Sequence, residues 1–223
     1  YKNSKIIDIR CLSVHIGSQI LDSNPYLKML AAVSKILNKI DHKFEYIDLG
    51  GGMGISYNSS QKKLDYSKYN FAIKKFLKNY KTKIIFEPGR SIIGNTGSLV
   101  SKIIYIKESE KKNFVILDAA MNDLMRPALY GATHKILPSI KKNEISKKIY
   151  EFVGPICEST DKFMTVKKFQ KLKEDELIIM CDVGAYGMSL SSNYNIRPKP
   201  AELLVKGSKI NIIRKRQKHI DLI

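Results

Sequence analysis

Apolar residues follow two rhythms in this chain, and the change between them divides it. In the first part, strand-like runs alternate with helical spacing. Residues 10–16 read as a short buried strand ending at His15-Ile16-Gly17. Asn24 then suits a helix N-cap with Pro25 at the first helical position, and Tyr26, Met29, Leu30, Val33, Leu37 and Ile40 recur at helical spacing. Residues 44–49 predict a second strand, stopped by Gly50, Gly51 and Gly52. Tyr66, Tyr69, Ile73, Phe76, Leu77 and Tyr80 mark a second amphipathic helix, and residues 83–87 a third strand. Strand–helix–strand–helix–strand implies right-handed crossovers and parallel pairing.

Beyond Gly97 the rhythm is that of strands. Residues 98–107, 113–118, 148–153, 176–182, 201–205 and 209–214 read as strands between turn-rich segments, with helix confined to residues 121–124 and 161–163. The expectation is an α/β part over residues 1–95 and an all-β barrel or sandwich over residues 96–223, the boundary loosened by Gly94 and Gly97. Three strands cannot close a parallel barrel, since an eight-stranded β/α barrel takes about 250 residues. The first part therefore reads as the last portion of such a barrel.

Three consecutive parallel strands end in His15, in the glycine run, and in Glu87-Pro88-Gly89-Arg90, which places all three at one rim. A strand running into glycines exposes backbone N–H groups that suit a phosphate. Taken alone the glycines are equally a tight turn, His15 a satisfied structural histidine, and Glu87 with Arg90 a surface ion pair. Their convergence is what favours a site. The run Gly50-Gly51-Gly52-Met53-Gly54 lacks the spacing of the dinucleotide fingerprint.

Further clusters lie in register along the chain: His15-Ile16-Gly17-Ser18-Gln19, Arg126-Pro127-Ala128-Leu129-Tyr130, Gly154-Pro155-Ile156-Cys157-Glu158-Ser159-Thr160-Asp161 and Gly184-Ala185-Tyr186. With Glu87-Pro88-Gly89-Arg90 and the glycine run, they resemble the pyridoxal-phosphate-dependent diaminopimelate decarboxylases of the alanine-racemase-like barrel class. The resemblance covers essentially the whole chain. It implies pyridoxal 5′-phosphate as cofactor, with His15 stacked on its ring, Ser18, Gly50, Gly51 and Gly52 at its phosphate, and Glu87 on its ring nitrogen. Arg90 pairs with phosphate or substrate carboxylate, a task suited to a planar, permanently charged donor fork. Arg126 and Tyr130 recognise the substrate's distal end. Cys157 is implied as the proton donor and Glu158 as the reader of the distal ammonium, both entering from the partner subunit of a homodimer with shared sites. Tyr186 touches phosphate and substrate. No metal is implied.

The implied reaction converts meso-2,6-diaminopimelate to L-lysine and carbon dioxide. A sister decarboxylase of ornithine, arginine, lysine or a carboxylated polyamine is the near alternative, and a non-catalytic remnant the distant one. Arg126 with Tyr130 argues against simple diamine precursors, which have no distal carboxylate. Met53 stands in place of a more usual Leu, and Gln217 where an acid is common. The larger departure is that no Tyr-Ala-x-Lys-like motif, which would carry the family's cofactor lysine on an early barrel strand, occurs among these residues. The chain thus reads as the C-terminal portion of an enzyme, inactive by itself. It begins at Tyr1 without an initiator Met, so a targeting peptide is not observable.

Composition changes little in this picture. The hydrophobic fraction of 43% supports a core. No apolar run reaches the ~18 residues of a membrane span. Net charge is +18, from 39 Lys plus Arg against 21 Asp plus Glu. The lysines are scattered and rise together with Ile and Asn, which reads as coding bias rather than a nucleic-acid footprint. Only residues 206–218 are dense in charge, and there Ile210, Ile212 and Ile213 suit a strand with a charged outer face. Cys11, Cys157 and Cys181 form neither a disulfide framework nor a metal spacing, so a reduced, cytoplasmic setting is expected.

Overall fold

Strands β1 (Cys11–Ser13), β2 (Tyr46–Asp48) and β3 (Lys83–Ile85) form a parallel sheet in the order β1-β2-β3. The computed structural model describes residues 6–58 and 61–223 and divides into two units, Tyr1–Gly94 and Asn95–Ile223. In the first unit the register aligns Leu12, Ile47 and Ile84 in one row and Ser13, Asp48 and Ile85 in the next. The regular strands are shorter than their apolar runs. Backbone pairing nevertheless continues past them, from the Val14 N–H to the Asp48 carbonyl (2.9 Å) and from the Glu87 N–H to the Gly50 carbonyl (2.9 Å).

Helices α1 (Asn24–Leu37) and α2 (Tyr66–Asn79) pack with Ile47 and Leu49 in one core. Their apolar stripes supply Tyr26, Met29, Leu30, Val33, Tyr69 and Phe76, and the Tyr26 and Tyr69 rings stack 4.4 Å apart. Such a pair adds about 0.5–1.5 kcal/mol beyond area burial. Asp65 caps α2 by accepting the Lys68 N–H. The start of α1 departs from expectation: Ser23 is the N-cap and Asn24 is already helical. The Asp22 carboxylate accepts both the Asn24 backbone N–H (3.0 Å) and its side-chain amide, drawing the entry one residue earlier. After β3 comes the short helix α3 (Arg90–Ile93).

The second unit contains β4 (Leu99–Lys107), β5 (Lys112–Leu117), the short helix α4 (Arg126–Tyr130), β6 (Ile136–Pro138), β7 (Ile149–Val153), β8 (Lys162–Val166), β9 (Leu177–Met180), β10 (Glu202–Lys206) and β11 (Lys209–Arg214). Instead of the expected barrel or sandwich there is one mixed sheet, ordered β6-β9-β4-β5-β7-β8, and a separate hairpin, β10-β11. All neighbours in the six-stranded sheet are antiparallel except β5 and β7. The long connection through α4 and β6 permits that parallel return. Ile103, Val115, Leu117, Phe152, Ile178 and Met180 are fully buried and form the centre of the core.

Two local expectations fail. Residues 161–163, expected as helix, lead into β8, where Phe152 pairs with Met164 and Phe163 turns into the core. Residues 121–124 form a turn braced by the Asp123 carboxylate on the Ala120 N–H, not a helix. In the hairpin, Leu203, Leu204, Val205, Ile210, Ile212 and Ile213 are all exposed, so the aliphatic residues of residues 206–218 do not form a covered inner face.

Glu151, buried in β7, receives ion pairs from Lys112 and from Lys162 (3.0 Å). Burial pushes its carboxyl upward, but the hydrogen bonds and charges of the two lysines outweigh this and hold it below the usual carboxylate range. A carboxyl lowered in the folded state adds stability above its unfolded pKa of ~4.3 and loses it as pH falls through the folded value. Glu151→Gln is therefore expected to lower the melting temperature at about pH 7, with a gap to wild type that closes as pH falls below ~4. Thermal unfolding at both pH values checks this; a gap of equal size at each would show that the charge is not responsible.

Candidate functional site

In the first unit the glycines bring three strand ends into contact. A Cβ at Gly51 would lie 2.1 Å from the Glu87 carbonyl oxygen, and one at Gly52 would lie 2.2 Å from the Gly17 carbonyl oxygen. No side chain fits either approach, and Gly50 and Gly52 also take positive φ values of 64° and 84°. The closure sets His15 against the run: its Nδ1 accepts the Gly51 N–H at 3.3 Å. An accepting Nδ1 leaves Nε2 as the protonated nitrogen of the neutral ring. Beneath the run, the Asp48 carboxylate accepts the Gly50 N–H (2.8 Å) and the Ser13 hydroxyl (3.2 Å). The buried Tyr26 hydroxyl donates to the Gly51 carbonyl, and burial raises its phenol to about 12.

Arg90 opens α3 and reaches back over the same rim. Its guanidinium donates to the Ser18 hydroxyl (3.3 Å) and to the Tyr57 hydroxyl, with Cζ 5.8 Å from the Tyr57 ring centroid. Gln19, at φ 61°, clamps Ile55 through both halves of its amide. The Glu87 side chain is exposed, as are His15 and Ser18. His15, Ser18, Gly50, Gly51, Gly52, Glu87 and Arg90 thus share one rim. Tyr57 and Gln19 belong to the same arrangement, although the sequence reading gave them no role.

In the second unit Cys157 and Glu158 sit on the loop of residues 154–161, and both are exposed. The loop is held by Asp161, whose carboxylate accepts the Ile156 N–H (2.8 Å) and the Met121 N–H (2.7 Å). Burial pushes the Asp161 carboxyl up, against those two bonds. A Cβ at Gly154 would fall 2.2 Å from this carboxylate, so the glycine admits the brace. Glu158 accepts the Tyr194 hydroxyl at 2.5 Å, and this bond raises the Tyr194 phenol. Tyr194 is brought there by a segment that Arg197 anchors, through the Asn122 side chain (3.0 Å) and the Asp118 carbonyl.

Arg126 begins α4 and is 6% exposed, while Tyr130 at the other end is 67% exposed. The two therefore present different environments: a buried, bonded guanidinium and an open phenol. Tyr186 is exposed at φ 61°, a left-handed conformation that costs a non-glycine residue about 1–3 kcal/mol. Sequence reasoning missed His134, Tyr194 and Arg197, which meet Cys181, Glu158 and Asp118 across 47, 36 and 79 positions. A cavity of about 700 Å³ elsewhere in this unit, lined by residues including Glu108, Asn113, Tyr150 and Lys171, collects none of the predicted site residues. Among the described residues no His, Cys, Asp and Glu group has metal-binding geometry, and no helix is long and apolar enough to cross a membrane.

The first unit carries a glycine-closed parallel rim and the second a mixed sheet, and the chain falls in the class of pyridoxal-dependent decarboxylases. The chain belongs to that family: residues 7–184 match the family described as pyridoxal-dependent decarboxylase, C-terminal sheet domain. Its relatives include the diaminopimelate decarboxylase of Zymomonas mobilis, 43% identical over 97% of this chain and 52% of that protein. That of Aquifex aeolicus is 39% identical over 98% of this chain and 52% of its own length. The crystal structure of the Helicobacter pylori diaminopimelate decarboxylase, complexed with L-lysine, superposes with a TM-score of 0.91 at 38% identity, covering 99% of this chain and 55% of that one. The chain spans about half the length of the relatives it matches.

Proposed function

We propose that this chain serves the decarboxylation of meso-2,6-diaminopimelate to L-lysine and carbon dioxide, in a homodimer with pyridoxal 5′-phosphate as cofactor. The observation that carries this reading is similarity along nearly its full length to enzymes named for that reaction. In the same reading, the first unit is part of a β/α barrel that binds the cofactor. The second carries substrate and proton-donor residues.

The donor set at the rim suits the cofactor. Ser18 and Arg90, already bonded to each other, offer a hydroxyl and a guanidinium to a phosphate, and the close-packed glycines add backbone N–H groups without side-chain bulk. Glu87 offers an exposed carboxylate to a protonated ring nitrogen, and His15 a neutral imidazole face for stacking. When bound, pyridoxal 5′-phosphate supplies a ring that accepts the electron pair left by departing carbon dioxide. Glu87 keeps the ring nitrogen protonated for that purpose. In the second unit, Arg126 and Tyr130 take the distal carboxylate and Glu158 the distal ammonium. Tyr186 contacts phosphate and substrate. The Cys157 thiol returns a proton to the carbon that lost the carboxylate. Cys157 and Glu158 act in the partner subunit's site.

The test is substrate choice, in a polypeptide joining this chain to the half of its relatives' length that it does not span. Arg126→Ala is expected to weaken diaminopimelate turnover by the worth of a charge-assisted bond, about 1.5–3 kcal/mol in kcat/KM. Steady-state rates beside thermal unfolding check this. Unchanged kinetics, or a wild type that prefers ornithine, would overturn the assignment.

A further inference from the structure

Arg126 is a buried cation whose bonds must come from the protein around it, and the donor inventory determines how. Its Nη1 lies 2.9 Å from Nε2 of His134, and Nδ1 of His134 lies 3.0 Å from the Cys181 carbonyl oxygen. A guanidinium only donates and a carbonyl only accepts. Nδ1 must therefore carry the ring proton, leaving the Nε2 lone pair for Arg126. The opposite tautomer sets two donors face to face on one side and two acceptors on the other. An imidazolium sets N–H against N–H and cation against cation.

The backbone fixes both ends of this relay. Gly131, at φ 60°, closes α4 by donating to the Arg126 and Pro127 carbonyls, folding the chain from Arg126 toward His134. The Cys181 N–H donates to the Lys135 carbonyl (2.8 Å), and β6 and β9 align Ile136 with Met180. The His134 ring, 2% exposed, is thus held where the β6 and β9 pairing ends, between the Cys181 carbonyl and Arg126.

We infer that His134 is a positioning residue, which aims the Arg126 guanidinium at substrate by being locked as the Nδ1–H tautomer. This rests on reading Arg126 as a substrate-binding residue. The bond fixes the direction of the guanidinium within the fold, so less rotamer freedom is lost when a carboxylate binds it.

Two arms test it. The first uses the joined polypeptide labelled with ¹⁵N at histidine, with the His134 signals identified by their loss in His134→Gln. At about pH 7 His134 is expected to show a protonated Nδ1 and an unprotonated Nε2, a state that Arg126→Ala should release. An Nε2–H tautomer or an imidazolium there would overturn the inference. The second arm measures diaminopimelate kinetics in the joined polypeptide. His134→Leu is expected to raise KM about tenfold with kcat within about twofold, and His134→Gln, which keeps an acceptor, to recover most of the loss. If Arg126→Ala raises KM while His134→Leu does not, the positioning role is wrong and the functional reading stands. If Arg126→Ala leaves KM unchanged, the substrate reading falls and this inference with it. Should His134→Leu fail to fold, the tautomer and the His134→Gln variant still decide.

Discussion

In the polypeptide joining this chain to the rest of its relatives' length, Cys157→Ala is expected to lower decarboxylation by about 10²–10⁴-fold, the span of a positioned general acid, while leaving the folded state nearly unchanged. Both halves follow from where the thiol sits. It is exposed, and the loop that carries it is held by Asp161 and Gly154 rather than by the thiol. Truncation therefore opens no core cavity, and the usual cost of a large-to-small change does not arise. A thiol is a far stronger acid than an aliphatic hydroxyl, so Cys157→Ser is expected to remain poor. Asp161→Ala makes the contrast: it strips the Ile156 and Met121 N–H groups of their acceptor and should lower melting temperature and turnover together. Steady-state rates and thermal unfolding on all three variants decide. If Cys157→Ala slows turnover only in proportion to lost stability, the thiol is a small packing residue and the proton has another source.

What the sequence made legible is what repeats locally. The helical stripe from Tyr26 to Val33 and the glycine stop after β2 each follow from short-range rules, and each stands where the pattern put it. The rim residues were legible for the same reason: parallel strands end on one side, so His15, the glycines and Glu87 had to gather there. Segments whose fate depends on remote pairing were not. Residues 162–166 have a mixed pattern that becomes a strand only because β7 lies beside them. His134 reads as an isolated histidine, since nothing near it in sequence reveals that Cys181 and Arg126 will flank its ring. Arg197 bonds the Asp118 carbonyl across 79 positions, and Tyr194 meets Glu158 across 36. Such partners are set by the fold and have no period to detect. The mixed topology of the second unit was hidden likewise, because a parallel return and an antiparallel one leave the same alternation in a strand.

The 223-residue chain by itself is expected to hold no covalent pyridoxal phosphate and to release no carbon dioxide from diaminopimelate. It carries residues suited to stacking, phosphate binding and proton donation, but none of its lysines stands in a Tyr-Ala-x-Lys-like motif at a strand end. A lysine that binds the cofactor covalently is a participant in the chemistry, so its lack removes more than binding energy. The sheet of the first unit sharpens the expectation. Its β1 and β3 are edge strands, with Cys11 and Ser13 exposed on β1 and Ile85 on β3. Open parallel edges with apolar residues invite mispairing, so low solubility is expected as well. Borohydride reduction in the presence of cofactor, followed by peptide mapping, is the direct measurement, with lysine production assayed beside it. A stoichiometric adduct on one lysine, together with measurable decarboxylation, would show that a residue within these 223 positions does the lysine's work. An adduct scattered over many surface lysines without turnover is the expected background, because a chain of net charge +18 offers many weakly selective amines to an anionic aldehyde.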